Sequence, residues 1–467
     1  MRRRLTAVLA GVAVAGAVAV VILVHSASAP ASGLRTVTIR QGPFAVGAYQ
    51  VRYTSRATKP VRAPQLDGYL VRMHARIVDG RGGSIPVRRL MLHHIVYKNL
   101  GRFRGDRKNY VCGGHAQSFY GTGEEDETLR FPPGYGYRVR KGDRWETGWM
   151  LMNHTRVTKR AYIEYTATID TSSRLKPVTP YWLRASGCPR RGQWDPIFDV
   201  PGGGRRGSTY RRATTFRAPA SGRLIAAGSH AHGGVKAMTL SQPGCGNRPL
   251  MRSRPLFGRK DHPYYHVLPV LHEPGPMDMS WLETRTGIPV AKGEPLRVTA
   301  SYDDELPHTR VMGIMHTYLA PDRRIRHRSC ALLPRDLRNE RKHYAGRRVS
   351  PKVRVPLTTI DSRGRARTID RPPGPLRQLA GSATVLVHDF RFAPRNLSVP
   401  LGARIRWSFR DPAMHNLTLA NGPLGFSSQN RRRGSRFSRR LTRPGTYRFF
   451  CSLHPVAMSE RIVVRRH

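Results

Sequence analysis

Apolar and polar residues alternate along most of the chain in short runs that end at turn residues. Clear examples are residues 69–78, 162–169 and 296–302. A period of two is typical of a β-strand with one buried face, because successive side chains point to opposite sides of a sheet. Beyond the N-terminal segment, no long run of the sequence has helical periodicity. The pattern therefore predicts an all-β protein.

The N-terminal segment departs from this pattern. Three arginines follow Met1, and residues 5–24 are uncharged and mostly apolar. A basic start before an apolar run is typical of an export signal, although this run exceeds the usual ~7–15 residues and approaches the length of a membrane span. We therefore predict that residues 1–33 are either a cleaved signal peptide or an uncleaved anchor. Both predict that the rest of the chain is secreted, or anchored on the outer face of the cytoplasmic membrane, where disulfides persist.

A change in composition divides the remainder of the chain. Residues 334–380 are basic and broken by prolines, most densely at residues 371–375. Such stretches form semi-rigid, exposed linkers. The sequence thus predicts a large β region, residues 34–333, joined by a linker to a small β region, residues 381–467.

The charge narrows the list of partners. The 467 residues include 81 lysines and arginines but 29 acids, a formal charge of +52, while the charged fraction of 24% is ordinary for a globular protein. The excess comes from scarce acids, which argues against a disordered polyelectrolyte. A basic surface attracts polyanions, so an anionic envelope polymer is a candidate partner. Nucleic acid is disfavoured, because the sequence has no signature of a nucleic-acid-binding fold.

The cysteines fall into two groups. Four lie in the large region: Cys112, Cys188, Cys245 and Cys330. They form no Cys-x-x-Cys zinc motif, so two structural disulfides are favoured, and three pairings are possible. Cys451 stands apart near the C-terminus.

The small region contains the ligand types of a blue-copper site. Cys451 ends a strand-like run, His454 and Met458 follow closely, and His415 comes thirty-six residues earlier. One thiolate, two imidazoles and a thioether are the ligand set of type 1 copper. We predict that these four residues bind one copper ion.

With its neighbouring motifs, this segment resembles the cupredoxins, the plastocyanin-like copper proteins. The likeness extends over about 85 residues and includes three further motifs: residues 390–394, 402–407 and 414–416. The resemblance implies a Greek-key sandwich in which His415, Cys451 and His454 bind copper in a trigonal plane and Met458 is axial. It also implies one-electron transfer.

Histidines of the large region form a second pattern. His230 and His232 are two residues apart, so on a strand both imidazoles face one side and can bind one metal. His93 and His94 point to opposite faces of a regular strand, so joint ligation requires a bulge or a strand end. His154 is isolated, and an isolated histidine is more often structural than a ligand.

The order of these segments resembles the copper type II ascorbate-dependent monooxygenases, such as the peptidylglycine α-hydroxylating and dopamine β-monooxygenases. The order is His-His, one His about sixty residues later, His-x-His, and a methionine on a late strand. The resemblance implies two β-sandwich subdomains, residues 34–195 and 196–333, with one copper on each.

The resemblance also assigns ligands. An electron-supplying copper is expected on His93, His94 and His154. An oxygen-activating copper is expected on His230, His232 and a methionine, whose thioether favours Cu(I). We choose Met312, which leaves a complete strand behind it, with Met315 as the alternative. Together with the cupredoxin site, this predicts three coppers per chain. Six other histidines have no matched role and are interpreted as structural or solvated: His115, His262, His266, His272, His308 and His316.

The expected function is that of an exported copper-dependent monooxygenase. It would hydroxylate an unactivated C–H bond of a small-molecule or peptide substrate with O2, using an external reductant and the cupredoxin as an electron relay. Two alternatives are an envelope copper-binding or storage protein and an electron carrier that uses only residues 381–467. The predicted ligands form two sets of three in the large region and one set of four in the cupredoxin. Three separate sites of this kind favour the enzyme, because copper storage gains nothing from such a distribution.

Overall fold

The computed structural model describes residues 33–54, 59–100, 111–112, 116–172, 174–188, 196–259, 261–342 and 354–466. In these ranges the chain is almost entirely β, with short 3-10 turns at Pro243–Cys245 and Pro263–His266. The prediction of an all-β protein is confirmed. None of the described helical segments is long and apolar enough to cross a membrane. The predicted signal or anchor, except for Gly33, and His115 lie outside the described residues.

The first part of the large region is a β-sandwich. Its strands are β1 (Leu34–Val46), β2 (Val51–Tyr53), β3 (Lys59–Val61), β4 (Gly68–Val78), β5 (Leu90–Asn99), β6 (Gln117–Gly123), β7 (Leu129–Arg130), β8 (Tyr135–Val139), β9 (Trp145–Asn153), β10 (Lys159–Asp170) and β11 (Lys176–Pro177). One sheet has the order β1-β10-β4-β8-β11 with β7 beside β4, and the other has the order β2-β9-β5-β6 with β3 beside β9. Aromatic side chains from both sheets fill the core, and the rings of Tyr97 and Tyr165 meet edge to face at 5.4 Å.

The second part is also a sandwich. Its strands are β12 (Thr179–Arg184), β13 (Phe198–Val200), β14 (Thr209–Arg217), β15 (Gly222–Ala231), β16 (Val235–Gln242), β17 (Arg248–Ser253), β18 (Pro255–Leu256), β19 (Asp278–Met279), β20 (Trp281–Val290), β21 (Pro295–Asp303), β22 (His308–Val311), β23 (Gly313–Pro321) and β24 (Arg338–Glu340). The sheets are β12-β23-β15-β20-β24 and β14-β21-β16-β17, with ribbons β13-β22 and β18-β19. Because β12 pairs with β23, the chain enters this sandwich before the expected boundary at residue 195.

The stretch predicted to be a linker, residues 334–380, differs from that prediction in its described parts. It contains β24, β25 (Leu357–Ile360), β26 (Ala366–Ile369) and β27 (Arg377–Gln378). β25 and β26 form a hairpin, and Leu357 is fully buried against Ala420 and Phe450 of the C-terminal region. The apolar residues of this hairpin outweigh the surrounding prolines and charges, so the segment packs instead of spanning solvent.

The C-terminal region is a two-sheet sandwich. Its strands are β28 (Ala383–His388), β29 (Arg391–Ala393), β30 (Asn396–Pro400), β31 (Arg404–Phe409), β32 (Thr418–Asn421), β33 (Arg436–Arg440), β34 (Gly445–Phe450) and β35 (Ser459–Arg465). The sheets are β27-β30-β35-β34-β32 and β29-β28-β31-β33. Both sheets contain a parallel pair, β30 with β35 and β28 with β31, so connections cross between them. The buried rings of Trp407 and Phe449 lie between the sheets.

Two disulfides settle the pairing that the sequence leaves open. Cys112 is bonded to Cys188, and Cys245 to Cys330. Cys451 is a buried free thiol. The two bridges hold segments of the large region together, which leaves Cys451 available as a metal ligand.

Candidate copper centres

The four cupredoxin-type ligands converge from two places in the C-terminal sandwich. Cys451 directly follows β34, and Met458 directly precedes β35. The turn between them is closed by His454 N, which donates to Cys451 O (3.0 Å), and by Met458 N, which donates to His454 O (3.1 Å). His415 arrives from the segment before β32, where it makes paired backbone hydrogen bonds with Arg431.

The thiol sulfur and the two imidazole nitrogens are spaced as they would be around one ion. Cys451 Sγ lies 4.0 Å from His415 Nδ1 and 3.7 Å from His454 Nδ1. Cys451 N donates to Met458 O at 3.2 Å, and the Met458 side chain is fully buried in the same core. The structure therefore brings together all four predicted residues.

Asp411, which sequence reasoning missed, orients one of these ligands. Its Oδ2 lies 2.7 Å from His415 Nε2, which leaves His415 Nδ1 to face Cys451. The same carboxylate accepts hydrogen bonds from Asp389 N (3.0 Å) and Phe390 N (3.1 Å). The Phe390 ring, 46% exposed, packs edge-on against His454 at 4.7 Å. An acid four residues before the ligand was the available sequence signal.

Burial prepares these side chains for a metal. It lowers the pKa of His415, and lowers the pKa of His454 to about 4, so both imidazoles are neutral at pH 7. Burial raises the pKa of the Cys451 thiol, so metal binding must release its proton. A soft thiolate and thioether with two neutral imidazoles fit copper.

The adjacent histidines His93 and His94 can bind one metal only at a bulge or a strand end, and the structure has a bulge there. The pairing of β5 with β9 shifts register between Leu92 and His94, which is a bulge. His93 Nδ1 and His94 Nδ1 consequently lie 2.9 Å apart. His154 directly follows β9, and its Nδ1 lies 3.1 Å from Pro269 O.

The His-x-His pair and a methionine lie at one end of the strand pair β15–β23 in the second sandwich. In that pair, His230 lies opposite Ile314 and Ala231 opposite Gly313. His232 directly follows β15, and Met312 directly precedes β23. The rings of His230 and His232 are 5.2 Å apart, and both line one cavity together with Met312.

The two candidate methionine ligands, Met312 and Met315, lie in different surroundings. Met312 is half-buried and lines the histidine cavity, whereas Met315 is fully buried in the hydrophobic core of the second sandwich. Met312 is therefore the candidate that lies at the histidine cavity, and its role as a ligand stays a prediction.

The two predicted ligand sets lie in contact. The ring of His93 is 5.1 Å from that of His232, across the junction of the two sandwiches. The ring of His272, a histidine for which no metal role was predicted, lies 4.8 Å from that of His93. The resemblance implies one copper on each subdomain, but here the sets adjoin, so metals bound by them would be close neighbours.

Three glutamates of an acidic run after β6, residues 124–127, supply carboxylates to this cluster, and sequence reasoning missed them. Their contacts to histidine nitrogens are Glu125 Oε1 to His230 Nδ1 (2.9 Å), Glu127 Oε1 to His316 Nδ1 (3.9 Å), and Glu124 Oε1 to His93 Nε2 (3.5 Å) and to His272 Nε2. The available signal was a run of four acids in a chain that has 29.

Most imidazoles of the cluster are neutral at pH 7. Burial lowers the pKa of His94 to about 3 and of His154 to about 4, and lowers that of His232 well below its usual value. Burial also acts to lower the pKa of His230, but the Glu125 carboxylate outweighs it and raises the pKa.

The donor set of this cluster fits copper. The buried Nε2 atoms of His154, His230 and His232 have no hydrogen-bond partner among the residues that the structure describes. Unpartnered buried polar atoms are costly, and neutral imidazole is a preferred ligand of copper. The His230 and His232 nitrogens, with the Met312 thioether, are the atoms that would hold one ion, and the His154 nitrogen belongs to the other predicted ligand set.

One cavity of about 1510 Å³ connects the histidines to the C-terminal sandwich. His94 and His232 line it from the large region. Met414, Asn430 and Leu453 line it from the cupredoxin-type region. The histidine cluster of the large region and the cupredoxin-type region therefore line the same cavity.

Hydrogen bonds link the thiol to the large region. Asn416 N donates to Cys451 Sγ (3.4 Å), and Asn416 Nδ2 donates to Asn430 Oδ1 (2.9 Å). Arg310 Nη2 donates to the same Asn430 oxygen (3.1 Å), and its Nη1 donates to Ser428 O (2.7 Å). Arg310 thus bridges the two regions.

The path continues from Arg310 to the histidines. Two residues along the chain, Met312 O accepts a hydrogen bond from Tyr302 OH. That hydroxyl also accepts from His232 N at 3.0 Å. Bonds and hydrogen bonds therefore run without a break from Cys451 Sγ to His232.

The match to one protein family agrees with the C-terminal site. Residues 380–465 match the copper binding proteins of the plastocyanin/azurin family. Similar solved structures include a reduced Cu(I) amicyanin variant, at 26% identity over 19% of this chain and 85% of that chain, with a TM-score of 0.17. Another is a purple cupredoxin from Nitrosopumilus maritimus, at 24% identity over 18% of this chain and 100% of that chain, with a TM-score of 0.17. No curated protein matches the chain.

The C-terminal region is thus a cupredoxin-type copper-binding domain. This is confirmed by the family match together with the ligand geometry. The match lies within residues 380–465, so the likeness of the large region to copper monooxygenases stays a prediction.

Proposed function

We propose that the protein is an exported copper-dependent monooxygenase whose cupredoxin domain relays electrons to the large region. The unbroken contact path from Cys451 to His232, along the wall of one cavity, carries this proposal. A storage protein has no use for such a path, and a free electron carrier has no use for the histidine cavity.

Copper bound to these ligands supplies one-electron redox chemistry and O2 binding. The hydroxylation consumes R–H, O2, two electrons and two protons, and yields R–OH and water. An external reductant provides the electrons, and the Cys451 site is suited to pass them on singly.

The chain's own residues arrange the site for this reaction. Glu125 fixes His230 by its Nδ1, so the unpartnered Nε2 is the atom left for a metal. Tyr302 holds the backbone of His232 and Met312 in register. The cavity walls from the cupredoxin domain limit water and leave room for a small organic substrate or a peptide end.

The test is O2 consumption by the reduced, copper-loaded protein against candidate substrates, with products searched for a mass gain of one oxygen. His232→Ala should abolish product while the blue absorption of the cupredoxin site persists. Product formation at the parental rate by His232→Ala would contradict the proposal. Absence of any coupled O2 uptake across a broad substrate panel would favour the electron carrier.

A further inference from the structure

We infer that Glu124, His93 and His272 form a metal site of their own, which takes one divalent copper ion. The resemblance to copper monooxygenases does not supply Glu124 or His272. The inference deepens the proposed function by naming ligands for one of its large-region coppers, and it rests on that function only in the choice of copper.

The ligand atoms of these residues already face one another. Glu124 Oε1 contacts His272 Nε2 and lies 3.5 Å from His93 Nε2. All three atoms lie within 4.8 Å of one another, a span that one ion with bonds of about 2 Å can bridge. Two imidazoles and a carboxylate are a donor set that suits Cu(II) better than Cu(I), because it has no soft sulfur ligand.

The other carboxylate oxygen of Glu124, Oε2, accepts two hydrogen bonds. Gly275 N donates to Oε2 at 2.6 Å, and Tyr264 OH donates to the same atom. These two donors orient the carboxylate so that Oε1 is turned to the two imidazoles. Outer hydrogen bonds of this kind are typical of metal-binding carboxylates.

A neighbouring histidine indicates that an ion belongs here. His154 is 5% exposed, and Pro269 O holds its Nδ1. Its Nε2 is buried without a hydrogen-bond partner in the described ranges. Pro269 lies three residues before His272 in the chain, so His154 is held next to the segment that carries this ligand. A simple ion pair of His272 with Glu124 would leave Nε2 of His154 unsatisfied, at about 1–3 kcal/mol.

The site also divides the histidine cluster. His93 turns Nε2 toward Glu124 and Nδ1 toward His94 Nδ1, which is 2.9 Å away, so His94 lies on the side of His93 that faces away from Glu124. We therefore assign one ion to His93, His272 and Glu124, with His154 beside it. The second ion is left to His94, His230, His232 and Met312.

The experiment measures copper binding by the full chain in a Cys451→Ser background, which removes the blue site. Cu2+ alone is titrated into metal-free protein, and bound copper is counted by elemental analysis and by the Cu(II) signal in electron paramagnetic resonance. Glu124→Gln and His272→Asn should each lose one copper per chain, or bind it at least about tenfold more weakly, as loss of a ligand requires.

Asp126→Asn is the matched control, because it is the same change two residues away, at a carboxylate that pairs with His74 and Lys342 on the surface. It should keep the parental copper count. Circular dichroism and the two disulfides check that each variant is folded. Parental stoichiometry and affinity in both Glu124→Gln and His272→Asn would overturn the site, as would equal losses in Asp126→Asn.

The two proposals fail in distinguishable ways. If the copper is lost with Glu124→Gln but no substrate is oxygenated by the parent, the metal site stands and the monooxygenase does not. If the parent oxygenates a substrate and Glu124→Gln binds copper as the parent does, the function stands and this ligand assignment does not.

Discussion

At the scale of single residues, carboxylates buried beside imidazoles recur in both regions. Asp411 holds Nε2 of His415, and Glu125 holds Nδ1 of His230. In each case one ring nitrogen is fixed, so the other is left for a metal and the tautomer is set. The scarcity of acids in this chain makes their placement next to histidines informative.

Replacing Cys451 with serine should remove the intense visible absorption of the blue site, because that absorption requires the copper–thiolate bond. Copper held by the large region should remain. Absorption spectra and elemental analysis of the copper-loaded variant provide the check. Persistence of the visible band would show that the thiolate lies elsewhere.

Glu125→Gln should weaken copper binding at the His230 site by about 10–100-fold, the usual cost of losing an outer carboxylate. The amide keeps the shape but not the charge that fixes His230 Nδ1. Competitive titration with a copper chelator measures the loss. Unchanged affinity would mean that Glu125 has only a structural role.

Asp278 gives the large region a pH-dependent stability. Burial raises its pKa to about 6 from a usual 3.8. The folded state therefore keeps this proton more tightly than the unfolded state, so the contribution of Asp278 to stability falls as pH rises from about 4 to 6 and stays low above. Asp278→Asn should be relatively more stable at pH 7 than at pH 4, by at most about 3 kcal/mol. Denaturant midpoints at the two pH values measure this difference, and equal differences would contradict the prediction.

At the scale of elements, β22 and the residues after it join the two regions. Arg310 has a left-handed φ of 57°, and its N donates to Asp199 Oδ1 at 2.9 Å. The Asp199 carboxylate also accepts from Ser427 N and Oγ, both at 2.8 Å. Such a backbone conformation is unfavourable for arginine and must be held by its surroundings. Asp199 therefore holds Arg310 and the cupredoxin domain in one arrangement.

Arg310→Met should slow reduction of the large-region coppers by the cupredoxin domain several-fold, because the side-chain contacts to Ser428 and Asn430 are lost. Arg443→Met is a suitable control, since Arg443 also crosses to the large region, at Gly202 O, away from the Asn416 path. Stopped-flow absorption follows oxidation of the blue site. Equal slowing in both variants would indicate a general loosening of the interface.

The sequence was sufficient to predict the ligand residues that lie close together in the chain. Cys451, His454 and Met458 lie within eight residues around one turn, and the alternation of His230 and His232 sets their common face. Contacts between residues that are distant in the chain left no pattern in the sequence. Glu124 and His272 are 148 positions apart and meet only because the two sandwiches pack together. The same reason hid the hairpin of β25 and β26, whose burial depends on the cupredoxin domain.

At the scale of the whole molecule, the histidine cluster joins the two sandwiches. His93 belongs to the first, and His230, His232 and His272 belong to the second. An ion held by both sides binds the assembled state alone, so it stabilises the assembly by mass action.

Copper loading of the Cys451→Ser protein should therefore raise the unfolding temperature of the large region and merge the transitions of its two sandwiches. With free copper at about 100 times the dissociation constant, the expected stabilisation is about 2.7 kcal/mol. Differential scanning calorimetry of the metal-free and loaded protein measures it. Identical thermograms would show that no ion spans the junction.

Asp411 has a mechanical consequence as well as an electrostatic one. Its carboxylate accepts hydrogen bonds from the backbone of Asp389 and Phe390 and is hydrogen-bonded to the ring of His415. Asp389 and Phe390 form a protruding tip with left-handed φ values of 47° and 53°. A displacement of this tip would therefore move Asp411 and the imidazole ring that it contacts. A molecule bound on the exposed Phe390 ring would thus change the orientation of a copper ligand that it does not touch.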